Sequence, residues 1–169
     1  MEIHERRILG IDPGFGRIGY AVLSVQGNEL HLMVCDAIVT PSTLAYPQRL
    51  LQLYEELGVI LAEHQPTEAA IEALFFGKNV TTAIKVAQAR GVTILALAQQ
   101  GLPITEYTPS EVKLAVTGYG AARKEQVGSM VRQLLHLLVV PTPDDAADAA
   151  AIAICHAHTQ RIYTEGLLR

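Results

Sequence analysis

With 169 residues, half of them apolar, the chain is long enough to bury one real core and short of the usual size of two domains, so a single domain over 1–169 is expected. No stretch reaches the roughly 20 uninterrupted apolar residues of a membrane span, the first residues lack the basic-then-apolar run of a secretory leader, and Cys35 and Cys155 are too few and too isolated for a disulfide framework or a thiolate metal site. A cytoplasmic protein with no membrane association is expected, and its 13 basic against 17 acidic residues disfavour a nucleic-acid binder only until the charge is divided along the chain.

In chain order, Arg7 to Asp12 (RILGID) is a short apolar run ending at Pro13-Gly14, and Arg17 to Val25 resumes with β-branched and aromatic residues. This pattern predicts a hairpin whose tight loop is PGFG. Leu30 to Thr40 gives a third strand after a Gly27-Asn28 turn, completing an antiparallel meander. From Tyr46 to His64 apolar residues recur at helical spacing until Pro66. Ala69 to Ala73 (AAIEA) reads as a short central strand. Asn79 is positioned to cap a helix to about Gln99, with Val80, Ala83, Ile84, Ala87, Gly91, Ile94, Leu95 and Ala98 on one broad face.

Leu102 to Tyr107 is a fifth strand, and Pro109-Ser110 opens a short helix through Val116 that Gly118-Tyr119-Gly120 stops. Another helix covers Lys124 to Leu138. Thr142-Pro143-Asp144-Asp145 supplies a cap candidate, a proline at the first helical position and first-turn acids for a final helix to about Thr159. This order describes an α/β fold, a mixed sheet with helices on both faces.

Such a fold would gather four carboxylates: Asp12 closing the first strand, Glu72 closing the fourth, and Asp145 with Asp148 opening the last helix. Crowded carboxylates repel one another and are relieved by raised pKa values or a bound cation. Two divalent ions would balance four negative charges, which is the arrangement of a two-metal phosphoryl-transfer site. Each acid also has a plainer reading. Asp12 could bond its own turn, Glu72 could pair with a base, and the helix acids could serve the helix dipole. Asp144 and Asp148 would also share a helix face, so the register is open between Asp144 and Asp145.

Residues 73–143 hold seven basic residues (Lys78, Lys85, Arg90, Lys113, Arg123, Lys124 and Arg132) against three acidic ones, while the rest holds six against fourteen. A basic sector beside an acidic cluster suits a nuclease that grips phosphate and holds metal over it. Lys78, Lys85, Arg90 and Arg123 are therefore candidate DNA contacts, with a solvated helical face as the alternative.

Four segments, ILGIDPGFGRIGYAV from Ile8, AAIEALFFGKNVTTAIKVAQARGV from Ala69, EYTPSEVKLAVTGYGAARKEQV from Glu106 and DDAADAAAIAICHAH from Asp144, resemble the RuvC family of Holliday junction resolvases. The resemblance runs along nearly the whole chain. It implies a ribonuclease-H-like, five-stranded mixed sheet, a homodimer paired through the helix from Asn79 to Gln99, and a magnesium-dependent endonuclease that nicks two strands of a four-way DNA junction symmetrically. The family's acids match Asp12, Glu72, Asp145 and Asp148, which would hold two Mg2+ ions replaceable by Mn2+. Lys113 and Lys124 match its basic positions near the active site, and Phe75 matches an aromatic that stacks on a base at the opened junction. Cooperation with RuvA and RuvB and a short thymine-containing cleavage sequence are also implied. A ribonuclease-H-like nuclease for another substrate, a nucleotide-binding domain of the actin type and a non-catalytic junction binder are the competing readings.

Overall fold

A computed structural model of the chain describes residues 6–74 and 80–164, with side chains through Gln160. Strands β1 (Arg6–Asp12), β2 (Arg17–Gln26) and β3 (Glu29–Val39) pair antiparallel. Strand β4 (Glu68–Glu72) joins β1 in parallel, and β5 (Ile104–Tyr107) joins β4 in parallel, giving a five-stranded sheet of order β3-β2-β1-β4-β5. Helices α1 (Tyr46–His64) and α2 (Val80–Gln99) cover one face, and α3 (Pro109–Thr117), α4 (Lys124–Leu134) and α5 (Asp144–Thr164) cover the other.

The two-residue period of a strand assigns each acid to a face. Leu9 and Ile11 enter the core under α1 and α2, while Ile8 faces α5, so Asp12 continues the α5 side. In β4, Ala69 and Ile71 face α1 and α2, and Ala70 faces α5, which puts Glu68 and Glu72 on the α5 side as well. Helix α5 lies close against the sheet because its inner surface is alanine: Ala146, Ala149, Ala150 and Ala153 are fully buried. Glycine opposes it on the strands. A Cβ on Gly10 would collide with the Ala149 carbonyl oxygen, and one on Gly19 with the Asp145 backbone.

At the far end of α5 from its acids, a buried polar group ties helix to sheet. His156 Nε2 lies 2.7 Å from Glu68 Oε2 and its Nδ1 lies 2.8 Å from the Tyr107 hydroxyl. Arg6 donates to both Glu68 oxygens at 2.7 and 3.0 Å. Burial would raise the Glu68 pKa, but hydrogen bonds from His156 and Arg6 outweigh it and hold the carboxyl down to about 2. A carboxylate with a depressed pKa stabilises the fold above its unfolded value, and that stability disappears as pH falls through the folded value. Glu68→Gln is therefore expected to cost about 1–3 kcal/mol at neutral pH. In denaturant titrations the gap from wild type should shrink as pH drops from 4.5 toward 2, the range between the ordinary and the folded value.

Four expectations need correction. Helix α4 ends at Leu134, not Leu138, because His136 takes a left-handed conformation (φ 54°) and turns the chain outward, leaving Leu138 95% exposed. Helix α5 starts at Asp144, with Pro143 outside it offering its carbonyl to Ala146 and Ala147. Strand β5 starts at Ile104, since the Leu102 amide is used on the Leu97 carbonyl to finish α2. The broad apolar face assigned to α2 is not its core face. Ala89, Thr93, Ala96 and Leu97 are buried, whereas Val80, Ile84 and Leu95 are 66, 52 and 55% exposed. Among the described helices α2 alone has the length and mean hydropathy (1.2) of a membrane-crossing helix, although Lys85 and Arg90 interrupt it. The capping role expected of Asn79 lies outside the described residues.

Candidate active site

Asp12 and Glu72 stand at the neighbouring C-terminal ends of β1 and β4, where the chain leaves the sheet and a side chain can reach past the last backbone pair. Asp148 faces them from α5. A cleft of about 250 Å³ is lined by all three acids together with Lys113 and Lys124. Lys113 is held in place by α3, whose first turn is fixed by a reciprocal cap: the Glu111 amide donates to Thr108 Oγ1 and the Thr108 amide donates to Glu111 Oε2. Lys124 opens α4, where Gln126 accepts from the Arg123 amide at 2.8 Å.

The charges are under strain. Asp12 is pushed up to about 7, first by burial and then by Glu72, Asp148 and Asp145, with Lys124 opposing. Burial and then Asp148 raise Glu72 against the pull of Lys113. Burial also raises Asp148, opposed by Lys124, with Asp145 and Asp144 adding to the rise. Burial would lower the Lys124 pKa, yet its pairing with Asp148 and Asp144 wins and raises it. Its Nζ lies 3.1 Å from Asp148 Oδ2 and 3.3 Å from Asp144 Oδ2.

The two candidate registers on α5 separate. Asp144 is 80% exposed and turned toward Lys124. Asp145 lies over Gly19 with its Oδ2 3.7 Å from Arg17 Nε, and it borders the cleft through its field on Asp12 rather than as a wall. Among the described residues no three His, Cys, Asp or Glu side chains stand close enough to chelate one ion as they are arranged. The donor set nevertheless suits a hard divalent cation: every candidate ligand is a carboxylate, their mutual repulsion is unrelieved at Asp12, and the Lys124 ammonium occupies the position of a counter-ion.

The other candidate contacts are dispersed. Lys85 sits on α2 with its Nζ 4.8 Å from the Phe15 ring centre. Arg90 is drawn into the seam between α2 and β5, where Nη2 lies 2.7 Å from Glu106 Oε1 and only 14% of the side chain is exposed, so it presents little to a ligand. Arg123 is exposed beside Lys124. Phe75 and Lys78 lie outside the described residues, as does Phe76. Sequence reasoning passed over Arg17, although it sits in the same PGFGRIG segment as Asp12, and Arg49, whose guanidinium stacks 4.4 Å over Phe15 and braces that loop.

The sequence model of the family described as crossover junction endodeoxyribonuclease RuvC matches residues 8–156. The chain is 56% identical over 153 residues to the crossover junction endodeoxyribonuclease RuvC of Chloroflexus aggregans, covering 90% of this chain and 93% of that one. The corresponding protein of Desulfitobacterium hafniense is 54% identical over 152 residues, 90% of this chain and 92% of that one. Among solved structures, Thermus thermophilus RuvC in complex with a Holliday junction substrate superposes with a TM-score of 0.89 at 33% identity, over 94% of this chain and 97% of that one. The yeast mitochondrial resolvase Ydc2, at 15% identity, a TM-score of 0.62 and coverage of 96 and 86%, shares the fold.

Proposed function

The chain belongs to the RuvC family of crossover junction endodeoxyribonucleases, and from that membership we propose that it resolves four-way DNA junctions in recombination and repair, in the cytoplasm, by nicking two opposed strands symmetrically. The observation that carries this reading is the convergence of Asp12, Glu72 and Asp148 with Lys113 and Lys124 on one cleft, which combines excess negative charge with cations able to receive phosphate.

Asp12, Glu72, Asp145 and Asp148 would hold two Mg2+ ions, replaceable by Mn2+, which when bound supply an activated water and neutralise the departing 3′ oxygen, leaving 5′-phosphate ends. The chain's own cations orient the backbone. Lys113 lines the cleft beside Glu72 and attracts the scissile phosphate there. Lys124, at the shared wall of this cleft and a neighbouring one of about 330 Å³, holds a second phosphate position once Asp148 and Asp144 have another counter-charge. Positioned charges of this kind are each worth about 100-fold in rate. Lys113→Ala and Lys124→Ala are expected to slow single-turnover nicking by about that factor while junction affinity changes far less.

The outward apolar stripe of α2 supports a homodimer. Val80, Ile84 and Leu95 lie on it, and a side chain on Gly91 would meet nothing, so a second helix has room to approach. Ile84→Glu is expected to shift the protein to monomer in sedimentation velocity; an unchanged dimer would move the interface elsewhere. Family membership is the support for partnership with RuvA and RuvB and for base stacking by Phe75, and the exposed Arg123 supports a backbone contact.

The reading is tested with a synthetic four-way junction and a linear duplex, each with and without Mg2+. Paired symmetric nicks in the junction alone and only with metal are expected. Cleavage of linear DNA or RNA instead would assign a different substrate, and tight ATP binding would revive a nucleotide-binding role.

A further inference from the structure

We propose that the polar group of Arg6, Glu68 and the buried His156 and Tyr107 is a register lock that fixes α5 along β4 so that Asp148 comes to rest facing Glu72. His156 and Glu68 are then positioning residues for the cleft. The inference rests on the reading of that cleft given above.

The geometry follows from two matched spans. Glu68 and Glu72 begin and end β4 on the same face, four residues and about 13 Å apart. Asp148 and His156 are eight residues apart on α5, about 12 Å along its axis. The His156 bond to Glu68 joins one end of the strand to the later end of the helix, so the earlier part of the helix lies beside the other end of the strand. A fixed contact at 68 and 156 therefore brings 148 level with 72.

The rest of the contact between α5 and the sheet is poor at setting register. Its closest approach is buried alanine over glycine, flanked by the buried Ile152 and Ile154, and apolar packing is non-directional, so it fixes how close the helix lies more firmly than where it stops. The polar group is directional. His156 is 2% exposed and spends both ring nitrogens, one on β4 through Glu68 and one on β5 through Tyr107. Its ring also meets Tyr107 edge-on, with centroids 5.7 Å apart. Arg6 of β1 donates to both oxygens of the Glu68 carboxylate. Bonds to two different strands fix the rotation of the helix as well as its axial position. A slide of one turn, about 5.4 Å, would leave the buried His156 imidazole without partners and the Glu68 carboxylate with Arg6 alone.

The test uses the full chain and four proteins: wild type, His156→Leu, His156→Gln and Glu68→Gln. Mn2+ affinity is read without DNA from the paramagnetic resonance of free Mn2+, well below each protein's Tm, and single-turnover junction nicking and metal-free junction affinity are read alongside. His156→Leu keeps the packing and loses both hydrogen bonds. It is expected to bind Mn2+ about 10-fold more weakly, as loss of a partner outside the ligand shell typically does, and to nick more slowly by a similar factor with metal-free junction affinity unchanged.

His156→Gln, whose amide donates to Glu68 and accepts from Tyr107, is expected to recover most of both losses. Glu68→Gln keeps the volume, should weaken Mn2+ binding in the same direction, and carries the test alone should His156→Leu not fold. A folded variant with lower Tm but wild-type Mn2+ affinity and rate overturns the lock and leaves the cleft assignment standing, as does a His156→Gln no better than His156→Leu. Wild-type protein that binds no Mn2+ overturns both together.

Discussion

Asp12→Asn is expected to reduce junction nicking by about 1,000-fold or more, a loss of several kcal/mol of transition-state stabilisation. The same substitution is expected to raise the Tm of the metal-free protein at pH 8. Both effects have one cause. Asp12 is buried among Glu72, Asp148 and Asp145, and its pKa is pushed from 3.8 to about 7. A carboxylate whose folded pKa is raised destabilises the fold as pH climbs from the unfolded value through the folded one, because the folded state binds the extra proton. At pH 8 wild type carries a half-buried charge that Lys124 compensates only in part, and the asparagine variant does not. A gain of about 1 kcal/mol corresponds to about 2–4 °C in a chain of this size. Near pH 4 the two proteins should melt together, and the gap should open between pH 4 and 8. Saturating Mg2+ should close it again by stabilising wild type alone. Equal Tm at pH 8 without metal would mean that Asp12 is not in the crowded position described.

Gly10→Ala is expected to cost about 3 kcal/mol and about 6 °C in Tm or more. The added carbon would strike the Ala149 carbonyl oxygen and come within 2.8 Å of the Ala153 amide nitrogen. Both are backbone atoms of α5, so no side-chain rotation relieves the clash and the whole helix must rise. Asp145 and Asp148 rise with it, and nicking should fall even where the protein remains folded. Gly58→Ala supplies the contrast. Gly58 lies inside α1 with nothing within 4 Å of a new Cβ, so alanine there should stabilise by up to about 1 kcal/mol. A Gly10→Ala protein as stable as wild type would contradict the close helix-to-sheet contact on which the cleft depends.

Much of this arrangement is legible in the sequence because local rules govern it. The alternation of RILGID and AAIEA places Asp12 and Glu72 on one sheet face, PGFG delimits the strand that carries Asp12, and Pro109 starts the helix that carries Lys113. The parts that are not legible depend on distant partners. Helix α2 is apolar on two sides, and periodicity alone cannot say that Leu97 turns inward while Leu95 faces out. Sequence leaves Asp144 and Asp145 open, because only the packing of α5 shows the Asp145 backbone passing over Gly19 while the Asp144 side chain stands exposed beside Lys124. His156 reads as one structural or solvent-facing histidine among several, since Glu68 lies 88 residues away and Tyr107 lies 49 away. The end of α4 is missed because Leu137 to Val140 continue an apolar run that the structure leaves largely at the surface.

The most direct measurement is anomalous diffraction from crystals of the protein soaked in Mn2+. Manganese peaks are expected inside the cleft bounded by Asp12, Glu72 and Asp148, with Asp145 at its edge and Lys124 displaced from Asp148. Manganese bound elsewhere, or an empty cleft in a preparation that cleaves junctions with the same ion, would contradict the assignment of these four carboxylates.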